Sequence, residues 1–265
     1  SALEDIERQL ARSRRYGDRR YYRGNEFSNL VEALAQRRCA EIFAKTSGSA
    51  SSDCVAADQL YVNVQPLSGA AANNAVEEAL LEPDDTMMGL SLAHGGHLSH
   101  GAAVNRSGLR FKSSSYRVRD ADAQLDYDDI AARARRVRPK LIIAGYTSYP
   151  WAPDWDRFRI IADDVGALLM ADISHPAGLI AGGVFPSPVG IADVVTFTTH
   201  KTLFGPRGAV ILSHRHDLMR RIDRSVFPGE QGGPHINKIA ALAVALKLAD
   251  TAAFRATQHQ IKANA

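Results

Sequence analysis

Lys201 lies where two short apolar runs of the sequence meet, and its amine is a candidate nucleophile. Residues 193–198 are rich in β-branched side chains and predict a buried strand, and residues 209–212 predict another. The glycines and the proline between residues 202 and 208 disfavour a helix there. A lysine held between buried strands loses hydration, which favours the neutral, nucleophilic amine. The pattern therefore indicates a lysine suited to Schiff-base chemistry, and an ordinary surface lysine in a loop is the alternative.

Asp172 is a second candidate, because it ends the apolar run of residues 168–172. An acid at the carboxyl end of a strand faces the crevice in which open α/β sheets bind ligands. Pyridoxal phosphate requires a lysine for its aldehyde and a carboxylate for its pyridinium nitrogen. Asp172 and Lys201 could supply both groups, so together they predict a pyridoxal-phosphate site. A role as a helix cap or turn residue is the alternative for an isolated aspartate.

Residues 68–70 follow a short predicted strand and open a predicted helix. Backbone N–H groups at a helix N-terminus bind phosphate, and small residues let the anion come close. The sequence thus predicts a phosphate contact here, with a plain strand-to-helix turn capped by Ser68 as the alternative.

Five segments resemble motifs of the serine hydroxymethyltransferase family, in the order that the family has them. They read VQPLSG at 64–69, GGHLSHG at 95–101, PKLIIAG at 139–145, TTHKT and GPRG between 198 and 208, and FPGEQGGP at 227–234. The resemblance extends from about residue 21 to the C-terminus, and the chain is identified as a member of that family.

The resemblance implies an α/β fold, namely the large domain of an aminotransferase-like fold-type I pyridoxal-phosphate enzyme. Its mostly parallel sheet would carry helices on both faces, which agrees with the alternation of predicted strands and helices. Residues 1–24 would form an N-terminal arm at a dimer contact, and residues 25–265 the large domain. The C-terminal small domain of the family and part of its N-terminal arm are expected to be absent.

The activity that the resemblance implies is hydroxymethyl transfer between serine and glycine, with pyridoxal 5'-phosphate as cofactor and tetrahydrofolate as co-substrate. The reaction is a retro-aldol cleavage of the Cα–Cβ bond of a β-hydroxy amino acid. Arg12 and Arg14 stand where the family has a tyrosine and a glutamate that act on the substrate, and Leu67 stands in place of a histidine. A folate-independent aldolase or transaldolase is therefore an alternative. A cofactor-binding fragment or partner subunit with little turnover is another.

The resemblance assigns roles to individual residues. Catalytic roles fall to Lys201, His97, Asp172 and His175, with His97 stacking on the pyridine ring. Contacts to the cofactor are assigned to a larger set: Ser68, Gly69, Ala70, His97, Thr147, Asp172, His175, Thr198, His200, Lys201, Gly232, Gly233 and Tyr22. The last three would act across the interface of a homodimer with shared active sites. Tyr21 and Tyr22 as interfacial aromatics without a chemical role are the alternative.

Three histidines at intervals of three residues, His94, His97 and His100, raise the alternative of a zinc site. No acid or thiolate lies near them in the sequence, so we expect no metal, with His94 and His100 supporting His97.

Composition limits the class of protein. The chain has 265 residues, of which 45% are hydrophobic and 23% charged, and this is typical of one soluble globular domain, or of one large and one partial domain. It contains neither an apolar run long enough for a membrane span nor a signal segment, and only two cysteines, so a cytoplasmic location is expected. Arginines crowd residues 1–23. A nucleic-acid patch is the alternative there, but a solvated helix face or subunit contact is favoured, and no nucleic-acid or membrane partner is expected.

The remaining periodicity predicts the elements that position these residues. Strands are predicted at 61–64, 86–90, 141–144, 168–172, 193–198 and 209–212. Helices are predicted at 2–15, 29–44, 68–81, 126–136, 154–165, 214–224 and from 236 onward, and loops at 45–58 and 227–234. Trp151 and Trp155 are interpreted as ordinary core or surface aromatics, with a reshaped substrate entrance as the alternative.

Overall fold

The computed structural model describes residues 24–46 and 54–265. Several of the sequence-based predictions lie outside the described residues. They are the helix at 2–15, the arginines at 12 and 14, the roles of Tyr21 and Tyr22, all but the last residue of the arm at 1–24, and the middle of the loop at 45–58.

A central sheet of seven strands organises the described part of the chain. The strands are β1 (Tyr61–Asn63), β2 (Thr86–Leu90), β3 (Lys112–Tyr116), β4 (Leu141–Gly145), β5 (Leu168–Asp172), β6 (Val194–Thr198) and β7 (Ala209–Ser213). Their spatial order is β1-β7-β6-β5-β4-β2-β3. Strand β7 runs antiparallel to both of its neighbours, and the other pairs are parallel.

The register of the central strands places the candidate site at one edge of the sheet. Gly145 lies beside Asp172, and Asp172 lies beside Thr196, so β4, β5 and β6 end close together. Every residue of β4 and β6 is buried, which explains their continuous apolar character. Polar groups therefore occur mainly where these strands end, and that end faces the ligand crevice typical of open α/β sheets.

Helices cover both faces of the sheet. They are α1 (Glu26–Ala44), α2 (Gly69–Leu80), α3 (Arg106–Arg110), α4 (Tyr127–Val137), α5 (Trp155–Val165), α6 (Ala177–Ala181), α7 (His216–Arg224), α8 (Ile236–Ala249) and α9 (Ala252–Asn264). Side-chain caps fix several starts: Asp126 accepts hydrogen bonds from two backbone N–H groups of α4, and Asp154 accepts one from α5.

Two apolar cores lie on opposite faces of the sheet. On one face, α1, α4, α5, α6 and α8 pack against the sheet through residues such as Phe43 and Phe158. On the other face, α2 and α7 pack through Val76 and Met219. Successive residues of β4 alternate between the cores, because Ile142 joins the first and Ile143 the second. The predicted α/β fold with helices on both faces is confirmed.

Most predicted elements occur within a few residues of their expected bounds, but three predictions were wrong or incomplete. The predicted loop at 227–234 is preceded and overlapped by a π-helical turn at Ser225–Glu230, which the extended backbone of Phe227 interrupts. The helix predicted from residue 236 is two helices, since Thr251 caps the start of α9. The helix at 214–224 begins at His216 and buries Leu218 and Met219, so only part of it is surface.

The two tryptophans differ in environment. Trp155 is buried, and its indole N–H donates to the carbonyl of Pro186, whereas Trp151 is half exposed. Within the described ranges, no helix combines the length and the apolar character that crossing a bilayer requires.

The packing of α5 yields a stability prediction. Phe158 is fully buried between the sheet and the aromatic rings of Tyr116 and Tyr127, so Phe158→Ala should lower the free energy of unfolding by about 3–5 kcal/mol. On the same helix, Ile160 is 66% exposed. Ile160→Ala should therefore change the free energy of unfolding by no more than about 0.5 kcal/mol. Urea denaturation followed by circular dichroism measures both. Equal losses in the two variants would contradict the packing described here.

Candidate functional site

Lys201 lies in the connection between β6 and β7, as the sequence predicts. The connection is held tightly, because the backbone N–H of Gly205 donates to the carbonyl of Thr199 at 2.7 Å. It also packs directly on α6: a Cβ at Gly178 would lie 2.0 Å from the carbonyl oxygen of Thr202. The lysine is therefore carried by a turn with little freedom to move.

The amine of Lys201 meets an imidazole. Lys201 Nζ lies 3.1 Å from His175 Nε2, and both side chains are partly buried. Burial lowers the pKa of Lys201, and the negative charge of Asp172 offsets part of that effect. Burial, with a smaller contribution from the nearby lysine, also lowers the pKa of His175. The pair therefore favours a neutral imidazole beside an amine that loses its proton more easily than a solvated lysine.

Asp172 ends β5 and is almost fully buried, with 7% of its surface exposed. Its Oδ2 accepts hydrogen bonds from Asn73 Nδ2 at 2.8 Å and His100 Nε2 at 2.9 Å, and its Oδ1 accepts one from the Ser174 backbone N–H at 3.0 Å. Burial alone would raise the pKa of Asp172, but the hydrogen bond and the electrostatic attraction of His100, together with hydrogen bonds from Ser174 and Asn73, outweigh it, and the pKa lies below its ordinary value. The site thus holds a buried carboxylate in its ionised form.

His100 donates to Asp172 through Nε2, since an ionised carboxylate only accepts hydrogen bonds. Its other ring nitrogen, Nδ1, is buried and has no hydrogen-bond partner among the described residues. The hydrogen bond to Asp172 therefore fixes the direction of the His100 ring.

The second imidazole, His97, is oriented by Ser99. Ser99 Oγ lies 2.8 Å from His97 Nδ1, and the backbone N–H of Ser99 donates to the same nitrogen at 3.2 Å. Burial lowers the pKa of His97, and the nearby His100 lowers it further. The ring is therefore held in place and favours its neutral form.

The start of α2 also lines the crevice and could hold an anion. Ser68 Oγ caps the helix by accepting the N–H of Ala71 at 3.4 Å. The N–H groups of the next two residues, Gly69 and Ala70, belong to the first turn and have no place in the helical hydrogen-bond ladder. Gly69 packs closely on its neighbour, since a Cβ there would lie 2.6 Å from the methyl group of Thr198 and would have to displace it. A helix N-terminus of this kind binds phosphate through its N–H groups.

These groups surround one cavity of about 300 Å³. It is lined by Ser68, Gly69, Ala70, Asn73, His97, His100, Tyr146, Thr147, Asp172, Ser174, His175, Thr198, His200, Lys201 and Arg207. The cationic side chain of Arg207 lies close enough to His200 to lower its pKa, although burial lowers it more. Arg207 therefore brings a positive charge to the part of the cavity near His200, and Asp172 brings a negative charge.

The donor set fits pyridoxal phosphate. An amine that deprotonates easily suits an aldehyde, a buried ionised carboxylate suits a protonated pyridine nitrogen, and a helix N-terminus suits a phosphate. All three lie in the same cavity, together with an imidazole that could stack on a ring.

The cavity brings together nearly all of the cofactor residues expected within the described ranges. Gly232 and Gly233 do not line it, and both are exposed. Asn73, Ser174, Tyr146 and Arg207 line it but were not predicted. For Asn73 a signal existed, because it follows Gly69 by four residues and so lies on the same helix face.

The three spaced histidines do not form a metal centre. The described residues contain no group of three His, Cys, Asp or Glu side chains that could hold a metal ion. The rings of His97 and His100 lie 5.4 Å apart, and His100 is directed to Asp172.

The mostly parallel sheet, the helices on both faces and the lysine on the turn after β6 define an α/β protein of the aminotransferase-like fold-type I class. The chain belongs to the serine hydroxymethyltransferase family, because the model of that family matches residues 9–265.

Curated relatives agree with this assignment. The chain is 48% identical over 250 residues to serine hydroxymethyltransferase of Nitrosospira multiformis, covering 94% of this chain and 56% of the relative. It is 49% identical over 251 residues to the protein of that name from Methylococcus capsulatus, covering 94% and 57%. It is 51% identical over 250 residues to that from Sorangium cellulosum, covering 94% and 56%. The chain thus spans little more than half the length of these relatives.

The environment of Lys201 predicts a distinctive pH profile. Reductive methylation of Lys201 should reach half its maximal rate below roughly pH 10.4, the ordinary value for a lysine amine, because burial favours the neutral form. Asp172→Asn should move this midpoint lower still, since the carboxylate charge holds the proton on the amine. Peptide mass spectrometry across a pH series measures the profile.

Asp164→Asn is the matched control, because Asp164 pairs with Arg135 on the surface and does not line the cavity. It should leave the midpoint unchanged. A midpoint for Lys201 at or above that of a free lysine amine would contradict the environment described here.

Proposed function

We propose that this chain forms the cofactor-binding large domain of a pyridoxal-phosphate enzyme that transfers a hydroxymethyl group between serine and glycine, with tetrahydrofolate as the one-carbon carrier. The observation that carries the proposal is the placement of Lys201, His175 and Asp172 in one cavity with the N-terminus of α2. Membership of the family supports the substrates and the folate.

In this proposal Lys201 holds the cofactor covalently, and Ser68, Gly69 and Ala70 hold its phosphate at the helix N-terminus. Thr147, Thr198 and His200 complete the pocket wall. When bound, pyridoxal phosphate supplies an aldehyde that condenses with amines and a ring that accepts the electron pair of the breaking Cα–Cβ bond. Asp172 contributes by keeping a proton on the pyridine nitrogen, for which a buried, ionised carboxylate is suited.

The other residues control protons and orientation. His175 Nε2, at 3.1 Å, accepts a hydrogen bond from Lys201 Nζ and so orients the amine. His97 covers one side of the cavity with a neutral ring whose direction Ser99 fixes. The lysine turn, packed on α6, keeps the amine in position without a large entropic cost.

We also propose a homodimer in which Gly232 and Gly233 serve the partner's site. Both are exposed and lie outside the cavity of their own chain, as residues that act across an interface would. The proposal also includes a division into an arm of residues 1–24 and a large domain of residues 25–265. It further includes a cytoplasmic location.

A folate-independent aldolase or transaldolase is the second candidate. Ala70 lines the phosphate end of the cavity without a side-chain hydroxyl, and Leu67 is 40% exposed where the family has a histidine. Two assays separate the candidates. Serine cleavage that requires tetrahydrofolate supports the first, and cleavage of β-phenylserine with no folate effect on serine supports the second.

The proposal predicts that the cofactor attaches at Lys201. After incubation with pyridoxal phosphate and borohydride reduction, peptide mapping should find stoichiometric modification of Lys201, because its amine is both partly buried and easily deprotonated. Lys201→Ala should abolish the stoichiometric adduct and reduce turnover by at least about a hundredfold, or about 3 kcal/mol in activation free energy. Lys247→Ala, at an exposed lysine of α8, should retain both. A stoichiometric adduct on any other lysine would overturn the proposed function.

A further inference from the structure

Asn73 is a polar side chain of α2 that lies in the candidate site with only 1% of its surface exposed. Burying an amide is costly unless its donors and acceptor are hydrogen-bonded. Both amide protons and the amide oxygen of Asn73 have a partner. Nδ2 lies 2.8 Å from Asp172 Oδ2 and 2.8 Å from Ser99 Oγ, and Oδ1 lies 2.8 Å from Thr196 Oγ1. This one side chain therefore joins α2, β5, β6 and the segment that carries the histidines.

The direction of each hydrogen bond follows from the charge on Asp172. An ionised carboxylate only accepts hydrogen bonds, so the Asn73 atom that faces it is Nδ2. The remaining amide atom, Oδ1, can only accept, and the hydroxyl of Thr196 must therefore be the donor. Asp172 and Thr196 are adjacent across β5 and β6, so their side chains lie on the same face of the sheet, towards α2.

The chain of hydrogen bonds continues to His97. Since the second Nδ2 proton of Asn73 goes to Ser99 Oγ, the Ser99 hydroxyl proton is available for His97 Nδ1 at 2.8 Å. The Ser99 backbone N–H also points to that nitrogen. His97 Nδ1 is therefore an acceptor, and the ring carries its proton on Nε2.

The same contacts distinguish the two oxygens of Asp172. Oδ2 accepts from Asn73 and His100, which fills its two acceptor positions. Oδ1 accepts from the Ser174 backbone N–H and retains one acceptor position. The oxygen left to receive a further proton donor from the cavity is Oδ1.

We infer that Asn73 is a positioning residue that fixes both polar partners of the ring site. It holds Asp172 so that Oδ1 is presented to the cavity, and through Ser99 it sets the tautomer of His97. Thr196 acts on the same network by fixing the orientation of the Asn73 amide. The statement that these groups serve a cofactor ring rests on the proposed function, whereas the hydrogen-bond chain itself does not.

Four variants test the inference. Asn73→Ala removes the amide that hydrogen-bonds to Asp172, Ser99 and Thr196. Asn74→Ala is its matched control, because Asn74 is the next residue of α2 and does not line the cavity. Thr196→Val keeps the shape of the side chain but removes the donor to Asn73, and Thr196→Ser restores it. Thermal unfolding of each variant shows whether the fold is retained.

The first readout needs no cofactor. In protein with 15N-labelled histidine, His97 of the wild type should show a proton on Nε2 and an unprotonated Nδ1 that accepts a hydrogen bond. The Nδ1 resonance should move in Asn73→Ala and Thr196→Val, and should stay in place in Asn74→Ala and Thr196→Ser. A proton on Nδ1 in the wild type, or an unchanged Nδ1 resonance in a folded Asn73→Ala variant, would overturn the inference.

The second readout is the dissociation constant for pyridoxal phosphate, measured from the absorbance of the bound cofactor. Asn73→Ala should raise it at least tenfold and Thr196→Val by less, and both controls should match the wild type. Failure of the wild type to bind the cofactor would count against the proposed function. The histidine resonances would still show whether the hydrogen bonds from Asn73 through Ser99 to His97 exist. Equal dissociation constants in Asn73→Ala and the wild type would overturn the positioning role.

Discussion

The candidate site depends on one buried negative charge, that of Asp172, and on the hydrogen bonds that stabilise it. Asp172 loses most of its hydration at the end of β5, and such a carboxyl would ordinarily be protonated. Hydrogen bonds from Asn73, His100 and the Ser174 backbone instead keep it ionised. Its charge then partly opposes the effect of burial on Lys201, so the two ends of the cavity are electrostatically linked. Removing these donors would destabilise the charged form of Asp172, and the pKa of Lys201 would then fall further.

The sheet explains why these groups meet. Parallel strands that end together deliver Asp172 and the turn after β6 to one edge, and α2 begins at the same edge with its N–H groups directed outward. Gly69 packs against the side chain of Thr198, and Gly178 against the backbone of Thr202, so both helix starts are held against the site. Close packing at these two glycines therefore fixes the walls of the cavity, and the polar side chains add orientation. A site built in this way depends little on long flexible loops.

The sequence predicted the structure best in the buried strands that lead into the site. The continuous apolar character of β4, β5 and β6 predicted those strands within a residue or two, and the family motifs indicated most of the side chains around the cavity. The strand Lys112–Tyr116 was missed because its composition, Lys-Ser-Ser-Ser-Tyr, lacks an apolar pattern, and it forms by pairing with β2 at the sheet edge. Asn73 was missed because its role depends on partners 26, 99 and 123 residues away, which only the tertiary fold brings together.

The most direct test of this account is the titration of the Asp172 carboxyl group, followed by its 13C resonance in labelled protein. We predict that Asp172 remains ionised well below roughly pH 3.9, the ordinary value for aspartate, because the donors around it stabilise the charged form more than burial destabilises it. The aspartates of the exposed surface serve as internal controls in the same spectrum. Protonation of Asp172 at or above pH 3.9 in the folded protein would show that burial prevails, and would contradict the account.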